Sequence, residues 1–368
     1  MKVRYTRSVD GIPSIPEDQR EEIRRVSARF PFRANDYYLS LVDWSDPEDP
    51  IRRLVVPDPA EMLEGGRLDA SNEAAHTVAK GVQHKYPSTV LLLVNEVCGA
   101  YCRYCFRKRL FMDGNDETSL DVIEGLAYIR ERPWITNVLL TGGDPLLLGT
   151  RRLLEIVEGV RSIPHVGIIR IGSKMPAFNP WRILDDPELL EGLSRFSTPR
   201  GRIYLMAHFD HPRELTEPAM EAMDRLLRAG VVAVNQCPLV RGINDDPETL
   251  AELFRRLSFI GVPPYYLFQG RPTAGNVPFQ VPIAEGWRIF EAARSRVSGL
   301  AKRARFCMSH ETGKVQIVGM DDARIYMRYH RSRDPADDGR FLVFRRDDAA
   351  LWLDDLVPWA RGGLTDWE

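Results

Sequence analysis

The stretch "STVLLLVNEVCGAYCRYC", residues 88–105, joins an apolar run to three closely spaced cysteines. The run Val90–Val94 is continuous, which is typical of a strand covered on both faces in a parallel sheet. Cys98, Cys102 and Cys105 follow the run with the spacing C-x3-C-x2-C. The stretch therefore predicts a metal or redox centre in the loop after a buried strand.

The number of cysteines limits what this centre can be. A structural zinc site normally takes four ligands, and the two other cysteines, Cys237 and Cys307, are isolated in the sequence. A disulfide would use two of the three thiols and leave the third alone. A [4Fe–4S] cluster held by three thiolates leaves one iron open to a small molecule, and this interpretation fits best. Three thiols without a metal are the alternative.

Composition places the chain among ordinary globular proteins. It has 368 residues, of which 44% are apolar, and its 50 Lys and Arg nearly balance its 52 Asp and Glu. That balance provides no long-range attraction to nucleic acid or to an anionic membrane. We find neither an apolar run long enough to span a bilayer nor the apolar core of a signal peptide. We therefore expect a cytoplasmic protein that binds neither nucleic acid nor membranes.

Five more apolar runs repeat the strand pattern, with amphipathic segments between them. They lie in "TNVLLTGGDPLLL", "VGIIRIGSKMP", "GRIYLMAHFDHP", "VVAVNQCPLVRGIND" and "PPYYLFQGRP". Repeated βα units imply a parallel sheet curled into a barrel, with the active site at the carboxyl ends of the strands. We predict an α/β fold, a partial (βα)6 TIM-like barrel over residues 86–295. A helical and extended N-terminal arm, residues 1–85, and a small α+β C-terminal extension, residues 296–368, would flank it.

The two flanking regions have patterns of their own. An amphipathic helix is predicted from Glu17 to Arg29. From about residue 319, two short strands joined by a polar turn at residues 337–339 are predicted. The C-terminal extension would cover the open end of the barrel or form a contact between copies in a homo-oligomer.

The motifs resemble those of the radical S-adenosylmethionine (SAM) enzymes, and among these the lysine 2,3-aminomutase family. The resemblance rests on "HKYPSTVLLLVNEVCGAYCRYCFRKRLF", "VLLTGGDPLLL", "HFDHPREL" and "NQCPLVRGINDD", in this order between about residues 36 and 318. It implies that the three cysteines hold a [4Fe–4S] cluster whose open iron chelates SAM. An electron from a donor such as flavodoxin or ferredoxin would cleave SAM to a 5′-deoxyadenosyl radical, which abstracts hydrogen from an amino-acid-like substrate. The implied reaction is the 1,2-migration of an amino group, an isomerase reaction.

The resemblance also implies roles for single residues. Arg107 would pair with the substrate carboxylate, for which its planar fork is suited. Lys314 would be the catalytic lysine that holds pyridoxal phosphate (PLP) as a Schiff base. The SAM contacts would come from the residues Gly142, Gly143, Asp144, Ser173, His208 and Gln236. Ordinary loop capping or a surface ion pair is the alternative for each of them.

Other positions depart from the family pattern. Lys85 and Thr89 stand where the family has two arginines around the PLP phosphate, and we expect Lys108 and Arg109 to compensate. Because of these departures, PLP binding stays an open question. A PLP-independent radical SAM oxidoreductase and a non-catalytic iron–sulfur protein are the alternatives to an aminomutase.

The substrate positions depart further. Arg271 and Cys307 stand where lysine-specific enzymes bind the distant ammonium group of lysine with two aspartates. A lysine side chain would face an unpaired arginine, which is unfavourable in a buried site. We therefore expect an acidic or neutral amino acid as the substrate, unless Arg271 turns outward to a surface carboxylate. The zinc-binding cysteines of the lysine enzymes are also absent, so no zinc is expected.

Overall fold

The computed structural model describes residues 2–359, which form a twelve-stranded sheet, a two-stranded sheet and several helices. The strands are β1 (Tyr5–Thr6), β2 (Ala34–Asn35), β3 (Thr77–Ala79), β4 (Val82–Tyr86), β5 (Thr89–Asn95), β6 (Asn137–Gly142), β7 (Ile168–Ser173), β8 (Ile203–Ala207), β9 (Val232–Pro238), β10 (Pro264–Phe268), β11 (Arg305–His310), β12 (Gly313–Met320), β13 (Arg324–Ser332) and β14 (Phe341–Arg345). The α-helices are α1 (Glu17–Arg29), α2 (Asp36–Leu39), α3 (Pro50–Val55), α4 (Ile123–Arg130), α5 (Thr150–Arg161), α6 (Met175–Phe178), α7 (Trp181–Leu184), α8 (Pro187–Phe196), α9 (Glu217–Arg228), α10 (Pro247–Phe259) and α11 (Ile283–Ser295).

The large sheet follows the chain order from β3 to β14. Its central strands, β5 to β11, are parallel, and antiparallel strands extend both edges. At least one helix connects each parallel strand to the next. The edge strands β3 and β14 are not paired with each other, so the barrel is partial. The predicted α/β partial barrel is confirmed, with β11 as one parallel strand more than the six expected.

Along each barrel strand, the side chains point in turn to the surrounding helices and to the barrel interior. In β6, Val138 and Leu140 belong to the main apolar core, whereas Leu139 and Thr141 line an interior cavity. This alternation follows from the two-residue repeat of a strand. The helix-facing residues therefore stabilise the barrel, while the others are available for a site.

The predicted tail strands are present as β13 and β14. The sheet runs on from the barrel into them, and Trp352 packs in the same apolar core as the barrel. Gln269, just after β10, donates its side-chain N–H to the carbonyl oxygen of Leu351 at 3.0 Å. The extension is thus joined to the barrel by backbone and side-chain contacts. Residues 360–368 of the predicted extension lie outside the described residues.

The N-terminal arm packs against the loop that carries the three cysteines. The predicted helix from Glu17 to Arg29 is present as α1. A second apolar core joins this arm to Ala100 and Tyr104 of the cysteine loop. The loop backbone is also bonded to the arm, since the N–H of Tyr101 donates to the carbonyl oxygen of Arg33 at 2.9 Å.

A buried ion pair fastens the same loop. Arg103 donates from Nε and Nη2 to the two carboxylate oxygens of Glu61, each at 2.8 Å. Its remaining donors reach the carbonyl oxygens of Phe30 and Pro31. The side chains are 2% and 0% exposed, so neither charge can be hydrated if its partner is lost.

No helix in the described range is both long and apolar enough to cross a membrane.

The ion pair between Arg103 and Glu61 leads to a prediction about stability. We expect Glu61→Gln to lower the free energy of unfolding by about 3–5 kcal/mol, because the buried guanidinium loses its counter-charge. Glu155→Gln removes a carboxylate from a pair with Arg151 that is largely exposed, so it should leave the free energy of unfolding close to that of the wild type. Urea unfolding of both variants measures the difference. Equal losses would show that the buried pair has no special role.

Candidate active site

One cavity of about 390 Å³ is lined by twelve of the site residues predicted from the sequence. It lies at the carboxyl ends of the parallel strands, since Gly142, Ser173, Pro238 and Phe268 end their strands and line it. The predicted residues in its wall are Cys98, Cys102, Cys105, Arg107, Gly142, Gly143, Asp144, Ser173, His208, Gln236, Arg271 and Lys314. The fold thus brings together residues that are more than 200 positions apart.

The three thiols offer a donor set for an iron–sulfur cluster. All five cysteines are free, and burial raises the pKa of Cys98, Cys102 and Cys105. Among residues 2–359, no group of three or more His, Cys, Asp or Glu side chains converges on a single metal ion. A four-iron cluster does not require such convergence, because each thiolate binds a different iron. Three thiols along one cavity wall therefore fit the cluster.

The Gly-Gly-Asp loop packs directly against the start of the cysteine loop. The N–H groups of Gly143 and Asp144 donate to the carbonyl oxygens of Asn95 (2.6 Å) and Val97 (2.9 Å). A Cβ atom on Gly142 would lie 2.4 Å from the Asn95 oxygen, and the φ of Gly142 is +106°. Only glycine fits there. These two N–H groups are thus engaged within the protein and are not available to a ligand.

The carboxylate of Asp144 is bonded to residues at the end of β7, so it is not free to bind a ligand. Its Oδ2 accepts from the hydroxyl of Ser173 (2.9 Å) and the N–H of Lys174 (2.8 Å), and Oδ1 accepts from the N–H of Leu146 (3.0 Å). Burial raises the pKa of Asp144 to about 6, against the effect of these bonds. Asp144 and Ser173 therefore hold the β6 and β7 loops in register.

A buried charge network, which sequence reasoning missed, lies beside His208. The ammonium of Lys174 lies between the carboxylates of Asp210 and Glu214. Burial opposes its charge, but the two acids raise the pKa of Lys174 well above its usual range. His208 Nε2 lies 3.0 Å from Asp210 Oδ1. The polar "SK" and "HFD" segments hint at such a network, but nothing local shows that they meet.

Arg107 is held by Glu73, a residue that sequence reasoning also missed. Nε and Nη2 of Arg107 donate to the carboxylate of Glu73, with a shortest distance of 2.7 Å, and Nη1 donates to Thr141 at 2.9 Å. Arg109 donates to the same carboxylate at 2.7 Å. Burial alone would raise the pKa of Glu73, but the arginines hold it far below its usual range. Only the Nη1 side of Arg107 thus remains for a ligand.

Arg271 points into the cavity and has no acidic partner in hydrogen-bond range within the described residues. Its guanidinium carbon lies 3.5 Å from the ring centre of Phe106. Nη1 is buried without a hydrogen-bond partner. Burial lowers the pKa of Arg271 to about 10, so it keeps its charge at neutral pH. The outward orientation considered from the sequence is therefore wrong.

Lys314 lies at the end of the cavity formed by β10 to β13. Its ammonium is 4.0 Å from the ring centre of Tyr266 and 5.0 Å from that of Phe268. Burial lowers the pKa of Lys314 to about 7. A large fraction of this amine is therefore unprotonated at neutral pH, which is the form that attacks a carbonyl.

Lys108 and Arg109, which were expected to compensate for Lys85 and Thr89, lie away from the cavity. Lys108 lies near Glu61 and Arg109 binds Glu73 and Glu117, and neither of these two residues lines the cavity. That expectation is wrong. Lys85 does line the cavity, and so does an arginine of the C-terminal extension, Arg331.

The other two cysteines differ in position. Cys237 lines the cavity, whereas Cys307, expected at a substrate position, does not. Cys307 lies in β11, paired with Phe268 of β10, and is fully buried. Of the two positions expected to read the substrate side chain, only Arg271 faces the cavity.

Positive charge dominates the cavity wall in the described part of the chain. Two acidic residues line it, Glu73 and Asp144, and both are bonded as described. Seven basic residues line it, namely Lys85, Arg107, Arg170, Lys174, Arg271, Lys314 and Arg331. Such a wall favours ligands with carboxylate or phosphate groups.

Comparison with known proteins identifies the family. Residues 92–254 match the family described as "Radical SAM superfamily". A protein of Aquifex aeolicus named "Putative L-lysine 2,3-aminomutase" is 54% identical over 357 residues, covering 97% of this chain and 96% of that protein. The L-lysine 2,3-aminomutase of Clostridium subterminale is 36% identical over 288 residues, covering 77% of this chain and 68% of that enzyme. The glutamate 2,3-aminomutase of Clostridioides difficile is 35% identical over 296 residues, covering 80% and 69%.

The chain belongs to the lysine 2,3-aminomutase family of radical SAM enzymes. The predicted resemblance is confirmed, and the enzyme class is that of the aminomutases, which are isomerases. The cofactors of the radical SAM family are a [4Fe–4S] cluster and SAM. The three-cysteine loop and the cavity beside it fit both.

The cluster assignment can be tested cysteine by cysteine. We expect Cys98→Ala, Cys102→Ala and Cys105→Ala each to lose most of the iron and the broad visible absorbance after anaerobic reconstitution, since three ligands are the minimum for this cluster. Cys237→Ala and Cys307→Ala should keep both. Iron analysis and absorbance spectra provide the measurement. Loss of the cluster in Cys237→Ala, which also lines the cavity, would show that the ligands are assigned wrongly.

Proposed function

We propose that this chain is a PLP-dependent radical SAM aminomutase that acts on an amino acid with an acidic or a neutral, hydrogen-bond-accepting side chain, and not on lysine. The observation that carries the substrate class is Arg271. Its guanidinium lines the cavity, and Nη1 is buried without a partner. A carboxylate would supply the missing bonds in the paired geometry that a guanidinium favours.

The acidic residues of the cavity argue against lysine. A lysine side chain would need a carboxylate for its distant ammonium, and the wall contains only Glu73 and Asp144 within the described residues. Glu73 is bound to two arginines, and Asp144 accepts three hydrogen bonds. Binding of lysine would therefore place an ammonium near Arg271 without a counter-charge, which costs several kcal/mol.

The named relatives leave room for this proposal. One relative carries a lysine 2,3-aminomutase name at 54% identity, and another, at 35% identity, is named for glutamate. Enzymes for basic and acidic amino acids thus occur in one family. The charge around the side-chain position supports an acidic or neutral substrate for this chain.

The residues of the cavity have distinct proposed tasks. SAM bound at the cluster supplies a hydrogen-abstracting radical, and PLP supplies the carbonyl group that takes up the migrating amino group. Lys314 presents an amine with a pKa of about 7 to that carbonyl. Glu73 fixes Arg107 so that its Nη1 side is directed to the substrate α-carboxylate. The aromatic rings of Tyr266 and Phe268 exclude water beside Lys314.

Lys314 can be tested by chemical labelling without measuring turnover. We expect PLP and borohydride to attach one stable pyridoxyl group per chain, on Lys314, with a rate that rises through pH 7 and levels off about two units higher. The rise follows the neutral amine, whose fraction increases as pH exceeds its pKa. Mass spectrometry of the digested protein locates the label.

Two variants serve as controls for the label. Lys314→Ala should lose the specific label while its iron content is unchanged, and Lys80→Ala, at an exposed position, should keep it. A wild-type protein that takes up no specific label would refute the use of PLP and leave the PLP-independent enzyme.

The substrate class can be tested by screening amino acids for substrate-dependent consumption of SAM. We expect L-lysine to have no effect, and an acidic or neutral amino acid to be active. Arg271→Met should raise the KM for that amino acid about 10- to 100-fold, because a charge-assisted pair is lost. Arg345→Met, at an exposed position of β14, should behave as wild type. Activity with lysine alone would show that Arg271 does not read the substrate.

A further inference from the structure

Arg331 of β13 reaches from the C-terminal extension to the turn before β5. It donates from Nη1 to the hydroxyl of Thr89 at 2.9 Å and from Nη2 to the hydroxyl of Ser88 at 2.7 Å. Its guanidinium carbon lies 4.5 Å from the ring centre of Tyr86. These contacts use two of its five N–H donors and fix its plane. Arg331 lines the cavity with an oriented guanidinium that no carboxylate within the described residues neutralises at hydrogen-bond distance.

A β-bulge aims this arginine at the cavity. In the pairing of β12 with β13, Val315 lies opposite Tyr329, but Lys314 lies opposite Arg331. His330 is therefore an extra residue on β13, and an extra residue turns the next side chain. Because of the bulge, Arg331 stands directly across from the lysine that carries the proposed label.

His330 itself holds an aromatic ring of the cavity wall in place. Its Nε2 lies 2.7 Å from the hydroxyl of Tyr266, whose ring contacts the ammonium of Lys314. One short segment of β13 thus supports the aromatic ring beside Lys314 and supplies a cation next to it.

A second cation completes the arrangement. Lys85 lines the cavity near the same turn and donates to the carbonyl oxygen of His310. Neither acidic residue of the cavity wall is bonded to Lys85 or Arg331. Two buried or half-buried cations with neutral partners mark a place for a dianion, which would offset the loss of their hydration.

We propose that Arg331, together with Lys85, binds the phosphate group of PLP, so that the C-terminal extension supplies a positioning residue for the cofactor. The proposal rests on the PLP-dependent function above. The family resemblance implies an arginine at position 89, where this chain has a threonine, and the guanidinium of Arg331 is bonded to Thr89. Arg331 therefore supplies, from another strand, the positive charge that Thr89 lacks.

The experiment compares PLP with pyridoxal, which lacks the phosphate but has the same aldehyde. Each is titrated into the full-length protein and fixed on Lys314 with borohydride, and the half-saturating concentration is determined by mass spectrometry. We expect wild-type protein to prefer PLP strongly. Arg331→Met should weaken the affinity for PLP about 10- to 100-fold and leave that for pyridoxal within about twofold. Arg331→Lys, which keeps the charge but loses the fork, should lie between them.

The control is Arg328→Met, on the same strand, since Arg328 donates to Gln316 and does not line the cavity. It should keep the wild-type preference for PLP. Equal weakening of both aldehydes by Arg331→Met and Arg331→Lys would show a structural role and overturn the proposal, and so would an unchanged preference. A wild-type protein that labels with neither aldehyde refutes the PLP-dependent function itself, which is a different result.

Discussion

Seven basic side chains line one cavity of the structure, and among residues 2–359 only two carboxylates, those of Glu73 and Asp144, line it with them. Like charges at such positions repel, and a buried cation without a counter-charge is unfavourable. Two of the seven are neutralised, Arg107 by Glu73 and Lys174 by Asp210. In the described part of the chain, the other five have only neutral hydrogen-bond partners or aromatic rings as neighbours, and they are Lys85, Arg170, Arg271, Lys314 and Arg331. Unneutralised cations at these positions are what the proposed binding of a phosphate and a carboxylate requires.

The contacts that hold the cysteine loop also fix the position of Arg107, one of these cations. The loop emerges from β5, but the ion pair of Arg103 with Glu61 and the contacts of the N-terminal arm hold its outer side. On its inner side, the Gly-Gly-Asp loop bonds its first residues. Arg107 follows on the same loop, so its position depends on these contacts as much as on Glu73. Cluster ligands and a proposed substrate-binding residue therefore share one support.

The sequence predicted what depends on local pattern and missed what depends on distant contacts. The barrel strands and α1 follow from periodicity, and both are confirmed. The assignment of the cysteine triad as cluster ligands follows from spacing and stays a prediction. Lys108 and Arg109 stood close to the site in sequence, yet they turn to Glu61 and Glu73. Arg331 could not be found, because it lies in a tail without a recognised motif and reaches the cavity only through a strand pairing with a bulge. A local pattern determines which residues form a strand, but not which distant acid neutralises a cation.

The neutralised and unneutralised cations divide the cavity by ligand charge. SAM carries a sulfonium and an ammonium against one carboxylate, so its net charge is positive, and it suits a region where acidic side chains outnumber basic ones. Around the proposed SAM contacts this is the case, since Lys174 lies between Asp210 and Glu214, and Asp144 is close by. The phosphate of PLP is a dianion, and the region around Lys314 contains cations without acids. The side-chain carboxylate of an acidic substrate would meet the same condition at Arg271. From charge alone, we therefore expect SAM beside Lys174 and the anionic groups beside Lys314 and Arg271.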